Sequence, residues 1–122
     1  MECLFCGIIN GEIDSKKIYE SDEVIAFLDI YPKTFGHVLV VPKIHTNDLL
    51  EMNYDNSVLK EISIVSNILK NKLNCDGINV ENNNGSIAGQ IIFHTHFHLL
   101  PRFEVDKYDK EDIDLAYKLI NE

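Results

Sequence analysis

The sequence predicts an α+β fold in which an antiparallel sheet carries one long central helix and a short C-terminal helix. Three observations predict it: several short apolar runs rich in β-branched residues, one long segment with helical spacing, and a shorter amphipathic segment near the end. Runs of strands joined to a long helix are typical of this class, with the helix on one face of the sheet. The 122 residues contain no linker or repeat, so we expect a single domain over residues 1–122.

Four apolar runs are the predicted strands. Prolines follow three of them, and proline disfavours continuing a β-ladder. An Asn-Asn-Asn-Gly stretch after the third run is typical of a turn, because Asn and Gly tolerate positive φ. The predicted strands are 23–28, ending before Pro32; 38–41, closed by Pro42; 78–81; and 91–100, stopped by Pro101.

Two segments have helical spacing. Apolar residues recur three and four positions apart over residues 57–73, which places them on one helical face. Asp55 is the predicted N-cap of this helix, and Gly77 lies just beyond its end. A second amphipathic segment covers residues 110–121, with Asp109 as its predicted cap.

Charge and apolar patterning exclude two classes of partner. The formal net charge is −9, which opposes a broad grip on DNA or RNA because phosphate backbones are held by clustered Lys and Arg. No apolar run approaches the roughly 20 residues needed to cross a bilayer, so no membrane is expected. Glu2 and Cys3 stand where a signal peptide would carry basic residues, and we expect a cytoplasmic protein.

Three of the five histidines alternate along residues 94–98. In an extended strand, alternate side chains project from the same face, so His94, His96 and His98 would share one surface while Thr95 and Phe97 face the core. A solvent-facing strand that happens to carry histidine is the alternative, although such a face favours Thr, Lys or Glu. Imidazole serves as nucleophile, acid or base near neutral pH, which suits phosphoryl chemistry.

The stretch 83–90, Asn-Asn-Gly-Ser-Ile-Ala-Gly-Gln, directly precedes these histidines. A glycine-containing loop can turn backbone N–H groups toward an anion, although an Asn-Gly pair alone is more often simply a turn. Next to three histidines, the loop is a candidate phosphate cradle.

These motifs resemble the histidine triad family, in the branch that contains bacterial HIT hydrolases and the Hint nucleoside phosphoramidases. The signature of that family is His-x-His-x-His followed by two apolar residues. The similarity covers nearly the whole chain and includes the segments 3–13, 26–30, 36–45, 88–90 and 94–100. The resemblance implies a HIT-like fold and an enzyme that acts on the α-phosphate of purine nucleotides.

The resemblance also implies catalytic roles. His96 matches the nucleophile that attacks the α-phosphorus and is transiently nucleotidylated, after which water releases the mononucleotide. His98 matches a phosphate contact, and its backbone carbonyl would accept from the second ring nitrogen of His96. The polar shell around the phosphate is matched by Asn83, Gly89, Gln90 and the backbone of Ile91.

Two positions near the predicted nucleoside and one in the phosphate shell qualify this assignment. Asp29 matches a carboxylate that accepts from ribose hydroxyls, and Ile30 lies beside the nucleoside. Asp29 fits a turn-forming role before Pro32 equally well. Ile91 departs from the family pattern, since many Hint proteins carry Ser there, and this weakens the case for protonation of an amine leaving group.

Cys3-x-x-Cys6 is ambiguous by itself between zinc, redox chemistry and chance. In the bacterial relatives that the chain resembles, the histidine after Pro-Lys-x and the first triad histidine complete a zinc site. His45 and His94 hold those positions, so the resemblance implies one structural zinc per chain on Cys3, Cys6, His45 and His94.

Two functions from different classes remain open. The first is hydrolysis of adenosine phosphoramidates or dinucleoside polyphosphates, and Asn83 favours the phosphoramidase type because the other branch tends to carry a longer amide there. The second is a nucleotide-binding regulatory or adaptor module with little catalysis. A purely structural zinc module would leave His96 and His98 unexplained. The resemblance further implies a homodimer.

Overall fold

The computed structural model describes residues 3–53 and 57–122. Over these residues, five antiparallel strands form one sheet and α-helices pack on both of its faces, which confirms the predicted fold class. The helices are α1 (Leu4–Ile9), α2 (Val58–Leu73) and α3 (Ile113–Asn121). The strands are β1 (Lys17–Glu20), β2 (Val24–Leu28), β3 (Val38–Pro42), β4 (Gly77–Glu81) and β5 (Phe97–Arg102).

The strand order is β1-β2-β3-β5-β4, so the histidine-bearing strand β5 lies between β3 and β4. Its His98 is opposite Leu39 of β3 and Glu81 of β4. His98 and Leu39 therefore project from the same face of the sheet. This register places Val38, the first residue of β3, opposite Leu99 of β5.

The two faces of the sheet have different covers. One face packs against α2 and α3, and its buried strand residues include Val24, Val40 and Leu99. The other face, which includes Phe27 and Leu39, packs against α1. Strands β2 and β3 are buried along their whole length, which explains why they appear in the sequence as continuous apolar runs. The predicted placement of the long helix over one face is confirmed.

Strand β5 differs from the expected limits at both ends. Pairing begins at Phe97 and continues through Pro101 to Arg102, whereas the sequence predicts a strand over 91–100 that Pro101 stops. Pairing with β3 ends at Leu99, so among the described strands only β4 flanks Pro101, and a proline is tolerated where a strand has one neighbour. Pro42 also lies inside its strand, opposite Val24 of β2.

The helix caps differ from the predicted ones. Helix α2 begins after Ser57, and the predicted cap Asp55 lies outside the described residues. The helix ends at Asn74 in the left-handed conformation, with φ of 54°, so Gly77 is the first residue of β4 and not a cap. Helix α3 is capped by Asp112, which accepts from the backbone N–H of Leu115, and not by Asp109.

Sequence patterns alone predict neither α1 nor β1. Helix α1 has six residues, too few to show a period, and the Cys3 sulfur caps it by accepting from the backbone N–H of Cys6 at 3.3 Å. Among the described helices, none combines the length and the apolar character that a membrane crossing requires.

Candidate functional site

The catalytic candidates lie on the α1 face of the sheet. His98 belongs to β5, and His96 lies one residue before that strand begins. The ring centroids of His96 and His98 are 5.0 Å apart, so the two imidazoles are neighbours. The ring of His94 faces away from this pair, toward a cysteine and histidine cluster. The three histidines therefore divide between two adjoining sites and do not share one surface.

His96 is held by a backbone carbonyl. Its Nδ1 lies 2.7 Å from the carbonyl oxygen of His94, so Nδ1 carries the ring proton and donates it. The prediction that the carbonyl of His98 accepts this proton is wrong. The chain bends at residue 94, and this bend places the carbonyl of His94 next to the ring of His96. Burial lowers the pKa of His96, which favours the neutral ring. Nε2 therefore carries the lone pair.

His37 extends this arrangement, and the sequence assigns it no role. Its Nε2 lies 2.9 Å from Nδ1 of His98, and its own Nδ1 accepts from the backbone N–H of Lys33 at 3.1 Å. The ring proton of His37 is therefore on Nε2 and is donated to His98, whose proton must then be on Nε2. The sequence offered one signal for this residue, because a histidine lies between Gly36 and an apolar run. In the structure the side chain of His37 is 1% exposed.

Burial sets the protonation of this pair as well. Burial, followed by the neighbouring His96 and His37, lowers the pKa of His98 to about 4. Burial also lowers the pKa of His37, with Asp29 acting in the opposite direction. At neutral pH both rings are neutral, and the Nε2–H of His98 is a hydrogen-bond donor.

Asp29, His37 and His98 place one carboxylate oxygen and two ring nitrogens within 4.8 Å of one another. A metal at this position would need an unprotonated Nε2 on His37. The Lys33 N–H occupies the lone pair of Nδ1, which forces the proton onto Nε2. The cluster therefore fits a hydrogen-bond relay and does not fit a metal centre.

Asp29 uses both carboxylate oxygens. Oδ1 accepts from the backbone N–H of Tyr31 at 2.9 Å, which is the turn-forming role considered from the sequence. Oδ2 lies 3.5 Å from Nε2 of His37. The next residue, Ile30, is 68% exposed beside this turn, so its side chain is available to an apolar group.

The glycine loop lies next to the histidine pair. Gly85 and Gly89 have φ of 92° and 93°, values that other residues rarely adopt, and a short 3₁₀ turn, Ser86–Ala88, lies between them. The amide of Asn83 lies across the loop, 3.7 Å from the position that a Cβ at Gly89 would occupy. Ile91 is 87% exposed at the end of the loop. Asn82 donates to the carbonyl of His96 at 2.9 Å and so ties the loop to the candidate nucleophile.

Gln90 is placed differently from the other predicted loop contacts. Its side chain is 4% exposed and bonds to backbone groups on both sides of it. Oε1 accepts from Gly85 N–H at 2.8 Å, and Nε2 donates to the carbonyls of Asn47 and Ile92 at 2.6 and 3.1 Å.

The metal-ligand candidates Cys3, Cys6, His45 and His94 are brought together as a second cluster, with their ligand atoms within 4.8 Å of one another. Nδ1 of His94 lies 3.4 Å from the sulfur of Cys3 and 3.6 Å from that of Cys6. Nδ1 of His45 lies 3.3 Å from the sulfur of Cys6 and 3.0 Å from Nδ1 of His94. A tetrahedral zinc with ordinary Zn–S and Zn–N bonds separates its ligands by about 3.3–3.8 Å. The three nitrogen–sulfur distances fall in this range and the nitrogen–nitrogen distance is slightly shorter, so a small outward movement of one ring would complete the site.

The outer contacts of the two histidines fit the same ion. Nε2 of His94 donates to the carbonyl of Pro42 at 2.7 Å, and Nε2 of His45 faces Asn47 Oδ1 at 3.4 Å. Both rings therefore present an unprotonated Nδ1 to the cluster. Two lone pairs 3.0 Å apart repel each other unless a cation lies between them.

The sequence is similar to a known family model and to proteins of that family. The HIT domain family model matches residues 10–105. An uncharacterised HIT-like protein of Methanocaldococcus jannaschii is 50% identical over 106 residues, which cover 85% of this chain and 81% of that protein. The adenosine 5′-monophosphoramidase of Candida albicans is 41% identical over 106 residues, 82% of this chain and 70% of that protein. The adenylylsulfatase of Arabidopsis thaliana is 39% identical over 107 residues, 86% of this chain and 54% of that protein.

Solved structures of histidine triad proteins have the same fold as this chain. A hypothetical histidine triad nucleotide-binding protein of Sulfolobus tokodaii superposes with a TM-score of 0.88 at 36% identity, covering 98% of this chain and 89% of that one. A zinc-bound histidine triad protein of Mycobacterium smegmatis has a TM-score of 0.81 at 32% identity, covering 99% and 91%. Since the family model spans most of the sequence and the relatives cover most of its length, the chain belongs to the HIT domain family.

Proposed function

We propose that the protein is a nucleotidyl hydrolase or transferase that releases a purine nucleoside monophosphate through a covalent nucleotidyl-His96 intermediate. One observation carries the proposal: Nδ1 of His96 donates to the carbonyl of His94 at 2.7 Å, which leaves the lone pair on Nε2. An imidazole that is buried, neutral and fixed in this tautomer is an activated nucleophile.

The reaction takes two displacements. Nε2 of His96 attacks the α-phosphorus, and the bond from phosphorus to the leaving group breaks. The leaving group departs with the electron pair of that bond, accepts a hydrogen bond from the Nε2–H of His98 and, if it is an amine, takes its proton from solvent. Water then attacks the same phosphorus and releases a proton to solvent, and the bond between phosphorus and His96 breaks. Two in-line steps retain the configuration at phosphorus, which is a checkable consequence.

Binding of the substrate is assigned to three groups. The side chain of Asn83 and the backbone around Gly89 and Ile91 would surround the α-phosphate, where fixed donors stabilise developing charge. Asp29 keeps further lone pairs on its bonded oxygens, and these would accept from ribose hydroxyls. Ile30, exposed beside Asp29, would contact the base.

The substrates are either adenosine phosphoramidates or dinucleoside polyphosphates. Similarity to the Candida phosphoramidase supports the first class, and similarity to the Arabidopsis adenylylsulfatase supports adenylyl donors with an anionic leaving group. Ile91 supplies no hydroxyl next to the leaving group. The Nε2–H of His98 is therefore the proposed hydrogen-bond donor to either type of leaving group.

One assay separates catalysis from simple binding. Wild type and His96→Ala are mixed with a fluorogenic adenosine phosphoramidate and with diadenosine tetraphosphate, and AMP release is followed. We expect release by wild type and at least a 10³-fold loss in the variant, as for removal of a covalent nucleophile. Mass spectra after an alkaline denaturing quench should show AMP on His96. If both proteins are equally inactive while AMP still binds, the protein is a nucleotide-binding module.

We propose one structural zinc on Cys3, Cys6, His45 and His94. The donor set and its spacing support it, as does the similarity to a zinc-bound relative. Four protein ligands leave no open position for substrate, so the ion would fix α1 beside the nucleophile and take no part in the chemistry. Reduced thiolates suit the cytoplasm, where we expect the protein to act.

We also propose a homodimer. Among the described strands, β4 is paired only with β5, and its Val80 is 52% exposed. Leu59 of α2 is 81% exposed beside an apolar groove of about 540 Å³. A second copy that pairs along β4 would cover both features. Sedimentation equilibrium should give twice the chain mass for wild type and the chain mass for Val80→Lys, which places a charge on that edge.

A further inference from the structure

The amide of Gln90 is fixed in orientation by the polarity of its neighbours. Oε1 faces a backbone N–H, that of Gly85, which can only donate. Nε2 faces two backbone carbonyls, those of Asn47 and Ile92, which can only accept. Exchanging the two amide atoms would oppose like groups at all three contacts, so this assignment is unique.

Both protons of this amide are already used. An amide nitrogen has two protons, and two carbonyls at 2.6 and 3.1 Å take them. The remaining lone pair on Oε1 repels an anion. With 4% of its surface exposed, the side chain of Gln90 therefore has no donor to offer a phosphate.

The contacts of Gln90 instead join the glycine loop to the segment that carries a metal ligand. Asn47, whose carbonyl takes the shorter bond, also places Oδ1 3.4 Å from Nε2 of His45. A second contact follows the same route, since the backbone N–H of Leu49 donates to Asn84 Oδ1 at 2.7 Å. The backbone N–H of Thr95 donates to the carbonyl of Thr46 at 2.9 Å. The segment 45–49 is thus joined to the loop 84–92 by hydrogen bonds at Asn47 and Leu49.

We propose that Gln90 is a positioning residue that couples the metal cluster to the glycine loop, so that the metal ion and the nucleotide bind cooperatively. The inference rests on the proposed function, because it takes the loop as the phosphate site. A metal that fixes His45 fixes Asn47, and Gln90 transmits that order to Gly85 and Ile92. Ordering the loop with a nucleotide stabilises the metal site in return, because such coupling is reciprocal.

The test measures the effect of AMP on the metal. Protein loaded with Co²⁺, whose absorption reports thiolate ligation, is titrated with a chelator in the presence and absence of saturating AMP. In wild type we expect AMP to raise the apparent Co²⁺ affinity at least about five-fold, the lower range of measured coupling between sites. In Gln90→Met, which keeps the length of the side chain and loses all three bonds, we expect a factor near one.

Two further variants locate the effect. Gln90→Glu keeps an acceptor for Gly85 and loses both donors to the carbonyls, so it should also lose the coupling; it serves if Gln90→Met does not fold. Asn83→Ala removes a proposed direct phosphate contact, so it should weaken AMP binding while the coupling at saturating AMP remains. A purely structural role for Gln90 would lower stability and leave the coupling factor unchanged.

The outcomes separate the two proposals. If AMP binds to wild type but leaves the Co²⁺ affinity unchanged, or if both Gln90 variants keep the five-fold effect, the coupling is wrong and the proposed function stands. If metal-loaded wild type binds neither AMP nor a phosphoramidate substrate, the proposed function itself is wrong.

Discussion

Nε2 of His37 lies 2.9 Å from Nδ1 of His98, and this single contact orders the protons on both rings. The backbone N–H of Lys33 fixes His37, His37 fixes His98, and the proton of His98 is left on Nε2, the nitrogen proposed to face the substrate. A residue for which no substrate contact is proposed thus determines which nitrogen of a catalytic candidate carries the proton.

Two substitutions at residue 37 test this relay. His37→Gln keeps a donor close to the position of the ring Nε2, while His37→Asn keeps a group near Nδ1 and loses the donor. We expect His37→Asn to lower kcat at least about 10-fold, because His98 would lose the donor that fixes both its tautomer and the orientation of its ring. His37→Gln should stay within a few-fold of wild type. Single-turnover release of AMP from a phosphoramidate measures the difference.

AMP affinity is the control for this pair, since neither variant removes a phosphate contact and both should bind AMP as wild type does. Equal losses of kcat in the two variants would contradict the relay, because only one of them lacks the donor.

Much of the fold follows from local patterns, and the exceptions have physical causes. The strands over 24–28 and 38–42 are buried along their whole length, and the helix over 58–73 buries one face. The sequence displays the first as continuous apolar runs and the second as helical spacing. Helix α1 is too short to show a period, and its cap is a cysteine. Pro101 suggests the end of a strand and instead lies inside one, because whether a proline interrupts a ladder depends on which neighbours flank it.

In the candidate site too, some features are visible in the sequence and others depend on contacts between distant residues. The types of residue in the metal cluster are visible in the sequence, and the structure brings all four of them together. The role of His37 depends on β3 pairing with β5, a contact over 61 positions that no local pattern specifies. The carbonyl under His96 depends on a bend at residue 94, where alternation predicts an extended strand.

The third cysteine offers a control for the metal site. Cys6→Ser should reduce bound zinc well below one per chain and lower the free energy of unfolding by about 3 kcal/mol or more, since metal binding energy is folding energy. Cys75 is 1% exposed and lies outside the cluster, so Cys75→Ser should also be less stable but retain its zinc. Metal analysis of the purified proteins, with thermal unfolding, measures both effects. Wild type that holds no zinc after zinc-supplemented growth would refute the site.

Gly36 should tolerate no side chain. Its φ is 78°, and an added Cβ would lie 2.4 Å from Cδ1 of Leu73 at the end of α2. We expect Gly36→Ala to lower the free energy of unfolding by about 2–4 kcal/mol, from backbone strain and from displacement of a buried leucine. It should also lower activity, because His37 is the next residue.

Gly11→Ala is the matched control, because Gly11 has φ of 80° and nothing within 4 Å of an added Cβ. It carries only the backbone strain, about 1 kcal/mol. Chemical denaturation of the two variants beside wild type separates strain from collision. Equal losses in the two variants would mean that Leu73 moves aside without cost.

The depressed pKa of His98 predicts how stability changes with pH. The folded value is about 4, while an unfolded histidine titrates near its ordinary pKa of about 6.5. Above that pH both states are neutral at this residue. As the pH falls from about 6.5 to about 4, the unfolded chain takes up a proton that folded His98 refuses, so the stability of the folded state decreases over this window. The charged and titratable groups around the ring are His37, His96, Asp29 and Lys33. A variant changed only at residue 98 keeps all four of them.

His98→Asn lacks this proton and isolates its effect. Between pH 7 and pH 4, wild type should lose up to about 3 kcal/mol more of its free energy of unfolding than the variant does. The proposed zinc would leave the cluster over the same pH range in both proteins, so its loss cancels when the two curves are subtracted. Urea denaturation at half-unit pH steps gives the curves. Parallel curves would show that the ring of His98 is as easily protonated in the folded protein as in water, which would also remove the reason to treat it as a neutral hydrogen-bond donor.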